Sequence, residues 1–259
     1  MTPLHVALAL LIGLAAGVLS GVFGVGGGIA MTPGVQVFLG TPSIMAVATP
    51  LPVIIPTAFT GALRYRSAGE FDRVGARWMA VTGFFTAIVG ALLTKVIKAD
   101  ILLLATAILL AWQSASILRG ARPEDPSRPK PHRAATPGAF AVIGLLAGAV
   151  SGLLGIGGGL IMVPLMVSWL DVPLKRALGT SLAAMLAMVI PGTIVHAALG
   201  HVDWLLALVL SVGAVPGARI GANLALGSRE RTLRIAVGSF LLLAAILYGA
   251  REAAHLLRG

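Results

Sequence analysis

A chain of 259 residues that is 58% hydrophobic and only 11% charged has too few charges to cover a soluble domain, and suits a protein whose solvent is lipid. Its net charge of +10 does not mark a nucleic-acid binder: the basic residues collect in short connectors without the interleaved aromatic side chains on which bases stack. Cysteine is absent, which excludes disulfides, thiolate metal sites and cysteine chemistry.

The chain is apolar from Leu4 onward and lacks a positively charged start, so the first run, Leu4 to Phe23, reads as a membrane segment and not as a cleaved signal. Four further segments follow: Ile29 to Leu39, Ser43 to Leu63, Gly75 to Ile97 and Ile101 to Leu118. A polar connector, Gly120 to Pro137, holds Pro123, Pro126, Pro129 and Pro131 and reads as an extended, solvated linker. Five more segments complete the chain: Gly138 to Leu154, Leu160 to Leu170, Leu174 to Leu199, Trp204 to Leu226 and Thr232 to Leu257. The expected organisation is a first membrane repeat over 1–119, a cytoplasmic linker over 120–137 and a second membrane repeat over 138–259.

The two repeats are related by a single ungapped offset of 131 residues. It places Gly13, Gly17, Ser20 and Gly21 on Gly144, Gly148, Ser151 and Gly152, and Gly26, Gly27, Gly28 and Pro33 on Gly157, Gly158, Gly159 and Pro164. Thr49 falls on Thr180 and Asp72 on Asp203. Apolar sequence matches itself by chance, but matches at Pro, Ser, Thr and Asp in one register indicate duplication.

Charge indicates how the repeats sit in the bilayer. When every segment counts as a crossing, the basic connectors at Arg64 to Arg77, Arg119 to Arg133, Lys175 to Arg176 and Arg229 to Arg234 fall on one side, as the positive-inside rule asks, with Lys95 and Lys98 opposite. If the short segments Ile29 to Leu39 and Leu160 to Leu170 are re-entrant instead, Lys175, Arg176, Arg229, Arg231 and Arg234 land opposite the central connector, so charge favours an odd number per repeat, which makes the repeats inverted. The fold class is therefore an all-α polytopic membrane protein of two inverted repeats, about five segments each, with Gly-rich helix breaks.

Those breaks are Gly24-Val25-Gly26-Gly27-Gly28 before Pro33, and Gly155-Ile156-Gly157-Gly158-Gly159 before Pro164. A glycine triplet does not continue a helix, since each glycine costs about 1 kcal/mol against alanine. A helix restarting at Gly28 or Gly159 exposes unpaired N–H groups and the positive end of its dipole, which favours an anion. Two such breaks facing one central site are the arrangement of inverted-repeat transporters. Gly13/Gly17/Gly21 and Gly144/Gly148/Gly152 instead have the spacing of close helix packing.

These glycine motifs, with Gly179-Thr180-Ser181-Leu182 and Gly200-His201-Val202-Asp203, resemble the TauE/SafE sulfite-exporter family, also called the toluene-sulfonate uptake permease family. The resemblance runs through both repeats and implies transport, commonly export, of sulfite, sulfoacetate or other organosulfur or carboxylate anions. The first repeat departs from the pattern, with Ala48-Thr49-Pro50-Leu51 in place of Gly-Thr-Ser-Leu.

The candidate substrate-binding residues are Gly26, Gly27, Gly28, Gly157, Gly158 and Gly159, together with the hydroxyls of Thr49, Thr180, Ser181, Ser20 and Ser151. Such hydroxyls donate to anion oxygens unless they bond their own helix carbonyls. Arg219, a charge inside a long apolar run, is a candidate counter-charge or a snorkelling side chain. His196 is open between proton coupling and an interfacial role, Asn223, Gln36 and Gln113 between ligand and helix contacts, and Asp72 and Asp203 read as helix caps. Glu70, Asp72, Glu124, Asp125, Glu230 and Glu252 lie in connectors or at ends, so no acid–base cluster supports a membrane enzyme, and no metal or cofactor is expected. The reading is a secondary transporter of a small anion in the cytoplasmic membrane. An anion channel is the alternative, and a proton or sodium coupling ion and a homo-oligomer remain open.

Overall fold

The computed structural model describes residues 2–93, 108, 111–112, 114–115, 117–119, 136–154 and 157–256. The connector as far as residue 135, most of the expected segment Ile101 to Leu118, Lys95, Lys98, Gln113, Gly155 and Ile156 lie outside the described residues.

Among the described residues every regular element is a helix, and local chemistry sets the ends. α1 (Pro3–Phe23) begins behind Thr2, whose hydroxyl accepts from the His5 amide, with proline where a missing N–H costs nothing. It ends at Gly24, whose N–H returns to the Ser20 carbonyl at 2.8 Å. α2 (Gly28–Phe38) runs back along α1, Gly27 lying against the Ala16 carbonyl and Gly34 against the Ile12 side chain. α3 (Ser43–Ala48) and α4 (Pro50–Ser67) meet at Thr49, where Pro50 supplies no N–H. The remaining helices are α5 (Arg73–Leu93), α6 (Pro137–Leu154), α7 (Gly159–Trp169), α8 (Leu174–Ala198), α9 (Trp204–Gly227) and α10 (Glu230–Leu256).

Among the described residues four stretches, Pro3–Phe23, Ile44–Ser67, Leu174–Ala198 and Trp204–Gly227, are long and apolar enough to cross a membrane, and Pro137–Leu153 and Gly159–Trp169 are shorter apolar helices. The expected boundary at Leu63 is too early. α4 continues through Arg64 and Arg66, because arginine is a good helix former whose long stem carries its charge out to the interface.

The packing repeats itself at the sequence offset. α1 lies parallel to α9: a Cβ on Gly13, Gly17 or Gly21 would sit on the carbonyl oxygen of Leu210, Ala214 or Ala218, and one on Gly213, Gly217 or Gly221 on that of Leu10, Leu14 or Val18. α5 lies parallel to α6 in the same way, through Gly144 on Met79, Gly148 on Gly83 and Gly90 on Ala149. Small residues let backbones approach this closely, which is what holds helices together where lipid offers no hydrophobic drive. α4 and α8 run antiparallel, Gly61 meeting Leu182 and Leu51 meeting Gly192.

At one end of the bundle the α4–α5 turn, the start of α8 and the end of α9 converge. The Asp72 N–H donates to Thr180 Oγ1 at 3.0 Å, Arg176 Nε lies 4.0 Å from Glu70, and Lys175 Nζ donates to the Leu226 carbonyl at 2.6 Å. Arg64 Nε donates to Asn223 Oδ1. The basic clusters Arg64 to Arg77, Lys175–Arg176 and Arg229 to Arg234 thus gather at a common end. The other end carries the turns at Gly40 and Gly200, where the Asp203 N–H donates to Thr49 Oγ1 at 3.2 Å.

Candidate functional site

Both glycine triplets break the helix, through left-handed backbone. Gly26 and Gly27 have φ of +76° and +78°, and Gly157 and Gly158 have +84° and +71°. A residue with a Cβ pays about 1–2 kcal/mol for that conformation. Gly27 and Gly158 are the N-caps of α2 and α7, and neither helix has a side-chain cap. Their carbonyls take the first helical bonds, Gly27 from Ala30 and Met31, Gly158 from Ile161 and Met162. Among the described residues the N–H groups of Gly28, Ile29 and Leu160 have no acceptor, whereas that of Gly159 turns to the Gly157 carbonyl at 2.9 Å.

These donors are buried. A buried helix N-terminus without a cap is an unmet electrostatic demand, and an anion meets it through both the amides and the dipole. The two breaks touch: a Cβ on Gly159 would meet the Gly24 carbonyl oxygen and lie 2.9 Å from Val25 Cα. They are also closed. The crevice beside them, between Phe23, Val25, Gly159 and Leu160, has no room for a water molecule.

The hydroxyls divide into groups. Ser181 Oγ lies 3.1 Å from the Gly24 carbonyl and 2.8 Å from that of Leu178, so it stitches α8 to the first break. Thr180 Oγ1 donates to the Arg176 carbonyl at 2.6 Å while accepting from Asp72, and Thr49 accepts from Asp203. Both threonines are occupied as ties between helices. Ser20 Oγ is fully buried with no hydrogen-bond partner among the described residues, and Ser151 presents its Cβ at 3.4 Å from where a Cβ on Gly158 would lie.

Arg219 is not brought to the breaks. It sits on the exposed face of α9, away from the glycine stripe that meets α1, and makes no ion pair or hydrogen bond among the described residues. His196 lies near the C-terminal end of α8 with its Nδ1 3.4 Å from that of His201. Asp72 and Asp203 cap α5 and α9 through bonds from Gly75 and Leu206 at 2.8 and 2.9 Å. In Gly179-Thr180-Ser181 each residue has a distinct contact: Gly179 admits the Glu70 carbonyl and the Tyr65 side chain, Thr180 takes Asp72 and Ser181 reaches Gly24.

Three residues at the site escape a reading of motifs. Tyr65, fully buried, donates its hydroxyl proton to the Gly21 carbonyl at 2.8 Å and so completes the end of α1. Ile54 and Met185, also fully buried, pack on the break glycines from α4 and α8. The signal that could have found the last two is the repeat itself, which superposes Ile54 on Met185.

A family model described as sulfite exporter TauE/SafE matches residues 9–248, nearly the whole chain. The chain belongs to the sulfite exporter TauE/SafE family. It is 28% identical over 251 residues to the probable membrane transporter protein YunE of Bacillus subtilis, covering 87% of this chain and 90% of that protein. A probable membrane transporter protein of Xylella fastidiosa is 30% identical over 236 residues, 83% of this chain and 81% of that one. The probable membrane transporter protein MJ0441 of Methanocaldococcus jannaschii is 24% identical over 258 residues, with 90% and 91% covered. No solved structure matches the chain. This TauE/SafE protein is a multi-pass membrane transporter and not an enzyme.

Proposed function

We propose that the protein exports sulfite or a small organosulfur or carboxylate anion, such as sulfoacetate, across the cytoplasmic membrane by alternating access, with the anion held between the two helix breaks. One observation carries the reading. Gly27 and Gly158 start two uncapped, buried helices whose break segments touch, and at both an amide remains without an acceptor among the described residues. In a membrane interior an unmet backbone donor costs several kcal/mol, so such a site persists where a ligand fills it. The orphaned hydroxyl of Ser20, one turn before the first break, is a further donor for a guest.

Alternating access draws support from the antiparallel run of α4 and α8 and from contacts that recur at the repeat offset, which suit two inverted repeats that rock about the site. The gathering of the described basic clusters at one end favours that end as the cytoplasmic one. The test is flux in proteoliposomes. Sulfite flux should saturate and be inhibited by sulfoacetate; flux that rises without saturation and ignores sulfoacetate would sink the transporter mechanism in favour of a channel.

A further inference from the structure

Apart from the nearby hydroxyls, the side chains around the breaks are apolar, and one of them touches three of the six break glycines. Met185 lies fully buried near the middle of α8. A Cβ on Gly157 would lie 2.9 Å from its Sδ, one on Gly26 would collide with the same sulfur, and one on Gly159 with its Cε. A single thioether therefore closes on three glycines drawn from both breaks. Its repeat equivalent, Ile54, would come within 3.0 Å of a Cβ on Gly26 and 3.1 Å of one on Gly28, whereas the nearest atoms to a Cβ on Gly157 or Gly159 belong to other residues, Met185 among them.

We infer that Met185 is the gate of the anion site and the residue that sets how large an anion the site admits. The inference rests on the reading of the breaks as the site. With Met185 in place its thioether fills the space beside Gly26, Gly157 and Gly159, and an apolar constriction of that kind stays dry and excludes ions. An anion bridging both breaks must take the volume the thioether fills. Methionine can give it up, because an unbranched stem with three rotatable bonds swings aside without moving the backbone. Ile54 cannot follow, since a β-branched side chain on a helix is held to one χ1 rotamer. The site accordingly has a movable wall on α8 and a fixed wall on α4, so its two sides open unequally.

The experiment compares Met185→Ala and Met185→Ile with wild type in proteoliposomes, using sulfite and the bulkier benzenesulfonate, with sulfite binding measured separately on the purified full chain. Met185→Ala should raise benzenesulfonate flux relative to sulfite flux by about tenfold, the scale at which a pocket responds to a lost methylene or two. Met185→Ile should bind sulfite about tenfold more weakly than wild type, because its stiff side chain keeps the volume the anion must take. An unchanged flux ratio in the alanine variant, or wild-type sulfite binding in the isoleucine variant, overturns the gate. Should the alanine variant fail to fold, Met185→Cys serves in its place, since the chain has no cysteine. Saturating sulfoacetate should slow its labelling by an anionic methanethiosulfonate about tenfold, as an occupied site excludes the reagent, and an unaltered rate overturns the proposal. Gly27→Ala and Gly158→Ala separate the two claims: wild-type sulfite binding in both removes the break site itself, whereas lost binding in them beside wild-type behaviour at Met185 removes only the gate.

Discussion

The backbone N–H of Asp72 donates to Thr180 Oγ1 at 3.0 Å, and the same bond recurs 131 residues away in sequence register, from Asp203 to Thr49 at 3.2 Å. Each tie joins the start of one long helix to the turn that follows its antiparallel counterpart. Both threonine hydroxyls are fully buried, so replacing either leaves a part-buried amide without its acceptor. Thr180→Val and Thr49→Val should each cost about 1–2 kcal/mol, read as a lower Tm in detergent. The two ties lie at opposite ends of α4, farther apart than neighbouring sites couple, so the double variant should lose close to the sum. Sulfite binding should persist in the single variants.

Alanine should separate the break glycines from the packing glycines. At Gly27 (φ +78°) and Gly158 (φ +71°) a side chain meets left-handed backbone and lies within 3.0 Å of the Ala16 or Ala147 carbonyl oxygen. The break must rearrange, and sulfite affinity should fall by about tenfold or more as the donors lose their aim. At Gly13 a Cβ meets the Leu210 carbonyl and pushes α1 off α9, so Gly13→Ala should lose about 1–3 kcal/mol of stability and keep its affinity. Titration of sulfite into each purified variant, beside its melting curve, checks both halves of the contrast.

Arg219 should be dispensable for transport. Its side chain is exposed on the face of α9 opposite the α1 contact, where the stem can carry the charge toward the headgroups. Arg219→Lys should behave as wild type, and Arg219→Gln should retain sulfite flux while inserting or folding less well. A well-folded glutamine variant without flux would return the charge to the transport path.

Single cysteines at Arg66, Lys175 and Thr41 test the orientation in a chain that has none of its own. The α4–α5 turn and the start of α8 share an end, and Thr41 lies just beyond the Gly40 turn at the other. Cysteines at 66 and 175 should label from the same side of sealed vesicles, and one at 41 from the opposite side. Opposite labelling at 66 and 175 would break the arrangement.

Local chemistry explains what was readable in the sequence. The short second helix was expected over Ile29 to Leu39 and is observed as Gly28–Phe38, because a glycine triplet before it and a glycine after it punctuate the chain whatever surrounds them. Asp72 and Asp203 cap helices as their positions suggested, since a cap needs only the amide three residues on. Long-range relationships were harder. That Thr49 and Thr180 act as acceptors for amides in another part of the chain is a tertiary fact with no local signature. The face of Arg219 was legible in principle: Gly213, Gly217 and Gly221 define the stripe toward α1, and a residue midway between two of them points the other way. Met185 was hidden for a different reason, as a methionine in an apolar run is what any membrane core contains.

The paired breaks as one anion site are tested most directly by locating a bound anion. Selenite, a heavier analogue of sulfite, in crystals of the full chain would reveal its position by anomalous scattering. The account predicts a peak within about 3–4 Å of the amides of Gly28, Ile29 and Leu160, with Met185 turned aside. A peak elsewhere, with Met185 still closed on Gly26, Gly157 and Gly159, would contradict it.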